Sequence, residues 1–209
     1  MKKVRGKLLE IDAPTAAERE WIFTALAAPE VHVPLGCRAA PARALFDTDH
    51  IELWRGEAVR REPVRYHVLR SLAHGRPVGF FLDFGWDRPT DTTREIDLAF
   101  PQVAERSAAS YLEATVIVAQ YLFGNGLAKR LRWRVDAGPT GAPRRSERQG
   151  ARLLLEQRER HPVSGEWVTK YVYEYALADF EKLGERLGID PRQDYGEQNV
   201  TPWDAYRRH

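Results

Sequence analysis

Apolar positions recur along this chain at two spacings, and the switches between them mark out its elements. Residues 4–11 (VRGKLLEI) are predicted to form a first strand, closed by Asp12-Ala13-Pro14. Thr15 with Glu18 makes a capping-box pattern, and Trp21, Ile22, Ala25 and Leu26 give the helix that follows one apolar face. Residues 29–41 carry the proline and glycine of an irregular connection, and a short helix is expected within 42–60. In residues 63–72, Val64, Tyr66 and Val68 alternate with Arg65 and His67, the pattern of a half-buried strand. His74-Gly75 is a turn, and a strand over 76–84 with Val78, Phe80, Leu82 and Phe84 on one side completes a hairpin.

The middle of the chain holds a short buried strand over 95–100 and, from Ser107 on, a helix with Ala109, Leu112, Val116, Ala119 and Phe123 on one face. Gly124-Asn125-Gly126 stops that helix. Leu131, Trp133 and Val135 then alternate with Arg130, Arg132 and Arg134 in an edge-like strand whose positive face is either a docking surface or water-facing. Strands over 151–160 and 166–177 are joined through Pro162-Val163-Ser164-Gly165, and Trp167, Thr169, Tyr171, Tyr173 and Tyr175 share one face of the second, a stripe that suits sheet packing. A last helix is expected over 179–187. This organisation gives one domain, 1–187, and a C-terminal tail, 188–209.

Composition narrows the function classes. At 209 residues, 43% apolar and 11% aromatic, the chain is long enough for one domain with a substantial core. Lys and Arg total 32 against 30 acidic residues, and a net charge of +2 makes no general case for nucleic acid. Cys37 is the single cysteine, so no internal disulfide forms, and a reducing compartment fits. Neither an N-terminal apolar leader nor an uncharged run of about 18 residues is present, so a cytoplasmic protein without a membrane span is expected. No His or Cys spacing points to a metal.

The strand, turn and helix over 94–123 form the densest motif. A helix start presents unpaired N–H groups and the positive end of the macrodipole, a setting for an anion. The segment resembles the acyl-donor core of the GNAT superfamily of N-acyltransferases, in which a strand offers backbone groups to pantetheine and a Gln/Arg-x-x-Gly-x-Gly/Ala turn cradles the pyrophosphate of coenzyme A. The corresponding turn here is Arg106-Ser107-Ala108-Ala109-Ser110-Tyr111, with Ala109 in place of one glycine and Tyr111 where Gly or Ala is usual. Both side chains are expected to crowd the close approach that glycine permits. The order of elements over residues 4–178 also resembles that family. It implies an α/β (α+β) fold, a mixed, mostly antiparallel twisted sheet of about seven strands flanked by helices.

The resemblance further implies an acyltransferase that moves an acyl group from a pantetheine thioester to an amine. Its donor set would be the strand backbone at Leu98, Ala99 and Phe100, the turn 106–111, and Arg145. No tightly bound cofactor is implied; the donor substrate is acyl-coenzyme A or the phosphopantetheine arm of an acyl-carrier protein. A carrier arm needs less of the glycine-lined turn, and Arg106, Arg144, Arg145 and Arg148 would offer its acidic surface a partner. Glu95 lies where the histone-acetyltransferase branch carries a general base, Asp97 points to the same face, and His67 is a third candidate base. Ser146 falls where many members carry a tyrosine that protonates the leaving thiolate. A non-catalytic binding or regulatory protein on a degenerate frame, an aminoacyl-tRNA-dependent transferase, and assembly as a homodimer stay open.

Overall fold

The computed structural model describes residues 3–55, 58–85, 92–136, 146–147, 150–161 and 163–188. Its centre is a nine-stranded mixed sheet: β1 (Val4–Arg5), β2 (Leu9–Asp12), β3 (His50–Arg55), β4 (Ala58–Ser71), β5 (Pro77–Phe84), β6 (Thr93–Ala99), β7 (Arg130–Asp136), β8 (Arg152–Arg160) and β9 (Trp167–Tyr175). Strand order is β1-β2-β4-β5-β6-β7-β9-β8, with β3 paired to the first half of β4. All neighbours are antiparallel except β6 and β7. The helices are α1 (Ala16–Leu26), α2 (Pro29–His32), α3 (Arg43–Phe46), α4 (Ala108–Gly124) and α5 (Leu177–Leu187). The mixed, mostly antiparallel architecture is the expected one.

Two of the nine strands exceed the sequence reading. Residues 4–11 are not one strand but a tight β1–β2 hairpin, with Val4 opposite Ile11. The reversal is held from far along the chain: the buried Glu113 carboxylate of α4 accepts from Leu8 N (2.6 Å) and Leu9 N (2.9 Å). A Cβ at Gly6 would lie 2.4 Å from Glu113 Oε1. Gly6→Ala is therefore expected to lower stability by about 1–3 kcal/mol, through crowding and loss of a buried acceptor, measured by thermal unfolding; an unchanged melting temperature would show that the hairpin does not depend on that carboxylate. The second addition is β3, where a short helix was expected. The helix is there, but α3 spans only 43–46, and Ile51 and Leu53 then alternate into the core opposite β4.

Both faces of the sheet centre are covered. On one face, Tyr66, Phe80, Leu82 and Phe84 pack with Ile22, Leu26 and Phe46 of α1 and α3. On the other, Leu69, Phe81 and Ile96 pack with Ile117, Tyr121 and other residues of α4. β4 is thus buried on both sides at Tyr66 and His67 rather than half-buried, because helices cover it twice. α1 begins as its sequence predicts: Thr15 N donates to Glu18 Oε2 (2.8 Å), and Thr15 Oγ1 accepts from Glu18 N (3.3 Å). Along α4, Val116, Ala119 and Phe123 are buried as expected, whereas Ala109 is exposed in the first turn.

β7 is an inner strand, not an edge, and its arginines are neither docking surface nor simply wet. Arg130 and Arg132, with Arg152 of β8, converge on Glu174 of β9 at 2.8–3.2 Å. Against the penalty of burial, these guanidinium groups hold the Glu174 carboxyl below its ordinary range. Among the described residues, no helix is long and apolar enough to cross a membrane.

Candidate active site

β6 and β7 pair only at their beginnings, through Thr93–Arg130, Arg94–Leu131 and Glu95–Arg132. Beyond that point β6 stays on β5 as far as Ala99, β7 stays on β9 as far as Asp136, and among the described residues the two strands no longer pair. They splay, and the gap is a cleft of about 300 Å³. Its walls are Asp97 and Leu98 of β6, Trp133 and Arg134 of β7, and Tyr111 and Thr115 of α4. Ser146 and Tyr175 complete the lining. Asp97 and Arg134 also border a narrower passage with Trp54, Arg55 and Glu159, so they stand where two spaces meet.

The two carboxylates of β6 share a face, as their spacing requires, but differ in surroundings. Glu95 Oε1 lies 2.6 Å from Arg55 Nη2 and accepts from Arg134 Nε at 2.9 Å. Arg134 in turn donates to Glu159 at 2.9 Å, and Arg55 reaches Glu62 at 3.3 Å. Glu95 is thereby committed to two guanidinium groups. Asp97 has no ion pair among the described residues. Burial pushes its carboxyl up to about 6; Arg55 opposes the rise and Glu95 adds to it. A carboxylate with that affinity, facing a cleft, is poised for general-base work near neutral pH.

A phenol also lines the cleft. Tyr175 of β9 contacts the Ser146 hydroxyl and meets Trp133 edge-on, 5.5 Å between ring centres. Burial raises its pKa. The chain lacks a tyrosine at 146, yet a phenol reaches the same cleft from β9.

The donor turn is built differently from its sequence reading. The Arg106 guanidinium donates to Phe100 O (2.8 Å) and Pro101 O (3.0 Å), so it closes the connection from β6 instead of reaching out to an anion. Ser107 is the N-cap of α4: its Oγ accepts from Ser110 N at 3.0 Å and lies 2.8 Å from Ser110 Oγ. Ala108 and Ala109 are exposed at the helix start. Tyr111 was expected to obstruct this turn, but its ring packs edge-on against Phe100 at 4.9 Å and forms cleft wall. Of the strand positions expected to meet the donor, Leu98 lines the cleft, whereas Ala99 is buried opposite Phe80 and Phe100 is buried under Tyr111. Arg144, Arg145 and Arg148 lie outside the described residues.

In this chain a parallel pair parts in mid-sheet, and α4 runs beside the cleft so formed. The chain has the GNAT fold. It is similar over 100% of its length to 95% of a GCN5-related N-acetyltransferase from Brucella melitensis, with a TM-score of 0.62 and 16% identity. It is likewise similar over 83% of its length to 98% of spermidine N-acetyltransferase from Vibrio cholerae in complex with CoA and spermine (TM-score 0.62, 9% identity). An aminoglycoside acetyltransferase in complex with coenzyme A matches over the same shares, with a TM-score of 0.55 and 14% identity. No protein-family model and no curated protein sequence matches the chain. At these identities the likeness is one of fold, and activity rests on the site.

Within the GNAT frame, His67 falls away from the cleft. It lies on the α4 face of β4, stacked on Phe81 at 4.3 Å and edge-on to Tyr121, and neither ring nitrogen bonds a described residue. Alternation along the strands puts Glu95 and Asp97 on the opposite face. Burial holds the imidazole neutral, with its pKa pushed down to about 3. The unfolded chain gains a proton near pH 6.5 and the folded one only near 3, so His67 lowers stability as pH falls through that window. His67→Leu is expected to flatten the acid loss of stability while leaving the pH dependence of turnover unchanged; a shifted turnover profile would restore it as a base. Cys37 is buried, and desolvation pushes its thiol up to about 12, too high for a nucleophile.

Proposed function

We propose that this protein is an N-acyltransferase that moves an acyl group from a coenzyme A thioester to an amine. The observation that carries the reading is Asp97, a raised and unpaired carboxylate at the junction between the cleft and the passage beyond it. The thioester enters the cleft along Leu98, Tyr111 and Trp133, and the amine arrives through the passage. Asp97 accepts the proton that the ammonium must lose and passes it to solvent, the nitrogen forms a bond to the carbonyl carbon, and as the carbon–sulfur bond breaks the nitrogen gives its second proton to Asp97, which leaves a neutral amide. The departing thiolate takes its proton from Tyr175, and solvent restores the phenol. Backbone N–H groups of β6 where it has left β7 are the natural donors to the carbonyl oxygen.

Free acyl-coenzyme A is the favoured donor. Two proteins similar over most of the chain are complexes with coenzyme A, and the ring thought to obstruct the turn is turned onto Phe100. Calorimetry with coenzyme A, and release of its thiol from acetyl-coenzyme A in the presence of amines, tests this. Micromolar binding with amine-dependent thiol release is expected. Absence of both would point instead to a non-catalytic binding protein; binding of an acylated carrier protein alone would move the donor to that class. Tyr175→Phe is expected to lower kcat by about 10-fold or more with coenzyme A affinity kept, and an unchanged kcat at all pH values would remove it as proton donor.

A further inference from the structure

The narrow space beside Asp97 shares Trp54 and Arg160 with an open bowl of about 520 Å³ between the connection after α2 and the β8–β9 hairpin. Arg38, Arg160, His161 and Ser164 supply its polar lining, and no described lining residue is acidic. This departs from the rest of the neighbourhood, where arginines are matched: Arg55 and Arg134 by Glu95, Arg130 and Arg132 by Glu174. Arg38 is exposed and has no carboxylate partner among the described residues. Arg160 gives one N–H to Gly165 O (2.8 Å), lies over the Trp167 ring at 4.5 Å, and likewise meets no described carboxylate. His161 Nδ1 accepts from Ser164 N at 3.2 Å, which leaves the ring proton on Nε2 as a donor. The bowl therefore concentrates positive charge and donors.

We infer that this bowl binds an acidic group of the acyl acceptor, so that the substrate is a small amine that also carries a carboxylate or a phosphate. Its amino end meets Asp97, its middle passes the Trp54 indole, and its acidic end is held by Arg38 and Arg160. Guanidinium forks suit both oxyanions, because each presents paired oxygens to two parallel N–H donors. The assignment deepens the acyltransferase reading and rests on it for the direction of transfer.

The test is calorimetry with matched amines, with and without coenzyme A: lysine against cadaverine and 6-aminohexanoate against hexylamine for the carboxylate, O-phosphoethanolamine against ethanolamine for the phosphate. The acidic member of at least one pair is expected to bind ten-fold or more tighter, with affinity falling as salt rises. The Arg38→Gln/Arg160→Gln double variant, at two exposed positions, is expected to bring the pair to within two-fold, with its melting temperature kept. Equal or weaker binding of every acidic member, no binding by any of them, or a preference that survives the double variant overturns the proposal. Coenzyme A binding is read separately: its failure would sink the acyltransferase reading while the acid preference stayed measurable.

Discussion

Asp97→Asn is expected to lower kcat/KM by about 10²-fold or more, the scale of a lost general base, while coenzyme A binds as before. In the unaltered protein the rate should rise with pH through about 6, because Asp97 accepts a proton only once it has lost its own. That inflection should vanish in the variant. A second readout separates this role from a structural one. Since the folded pKa is raised above an ordinary value of about 3.9, the stability Asp97 contributes is present below pH 4 and lost as pH rises through 6. Asparagine does not ionise, so the variant should gain melting temperature relative to wild type at pH 8 and gain less at pH 4. A rate within a few-fold of wild type across that range would eliminate Asp97 as the base and send the search back to Glu95.

Sequence spacing was enough to locate the β6–α4 motif and to put Glu95 and Asp97 on one face, because alternation in a strand is a local property. It could not rank the two. The ranking depends on Arg55, forty residues upstream, and Arg134, thirty-nine downstream, which sheet pairing brings onto Glu95 and not onto Asp97. The same limit explains β7. Alternating arginine and apolar residues look like an edge strand until Glu174 of β9 and Glu159 of β8 arrive to match them. His67 fails for another reason: alternation placed it opposite Tyr66, but only the positions of α4 and of the splay decide which face is the reaction side. Tyr175 lay in a stripe whose packing role is real at Tyr173 and Tyr171, and nothing local marks the one ring that ends in the cleft.

The Gly6–Glu113 contact belongs to the same class of long-range dependence. Residues 4–11 read as one strand from their sequence, and the need for a glycine at position 6 comes from a carboxylate on a helix that begins about a hundred residues later. The order of elements survived such ignorance because it follows from periodicity, which each segment carries on its own.

The largest loss of stability is expected from Arg94→Met. Arg94 lies on the α4 face of β6, one residue before Glu95, and is buried. It donates from Nε to Leu127 O at 2.9 Å and from Nη1 to Gly85 O, tying the end of β5 and the entry to β7 to the start of β6. It also lies 3.7 Å from Asp83, a fully buried carboxyl whose oxygens accept no hydrogen bond from the described residues. Burial pushes Asp83 up to about 7, with Arg94 and Arg65 opposing the rise. Methionine keeps much of the arginine stem but orphans two carbonyls and removes one of those two opposing charges, a loss of about 3–5 kcal/mol. At about 2–4 °C per kcal/mol for a domain of this size, melting should fall by roughly 6–20 °C. The sign with pH follows from Asp83: its raised pKa makes its contribution favourable in acid and unfavourable as pH rises through 7, and removing Arg94 deepens the alkaline side. The deficit of Arg94→Met should therefore be larger at pH 8 than at pH 5, and Asp83→Asn in the same chain should recover the pH-dependent part only, because the two carbonyls stay unpaired. A melting temperature within about 2 °C of wild type at pH 8 would mean that Arg94 does not hold the mouth of the splay, and that the strands part at Glu95 for some other reason.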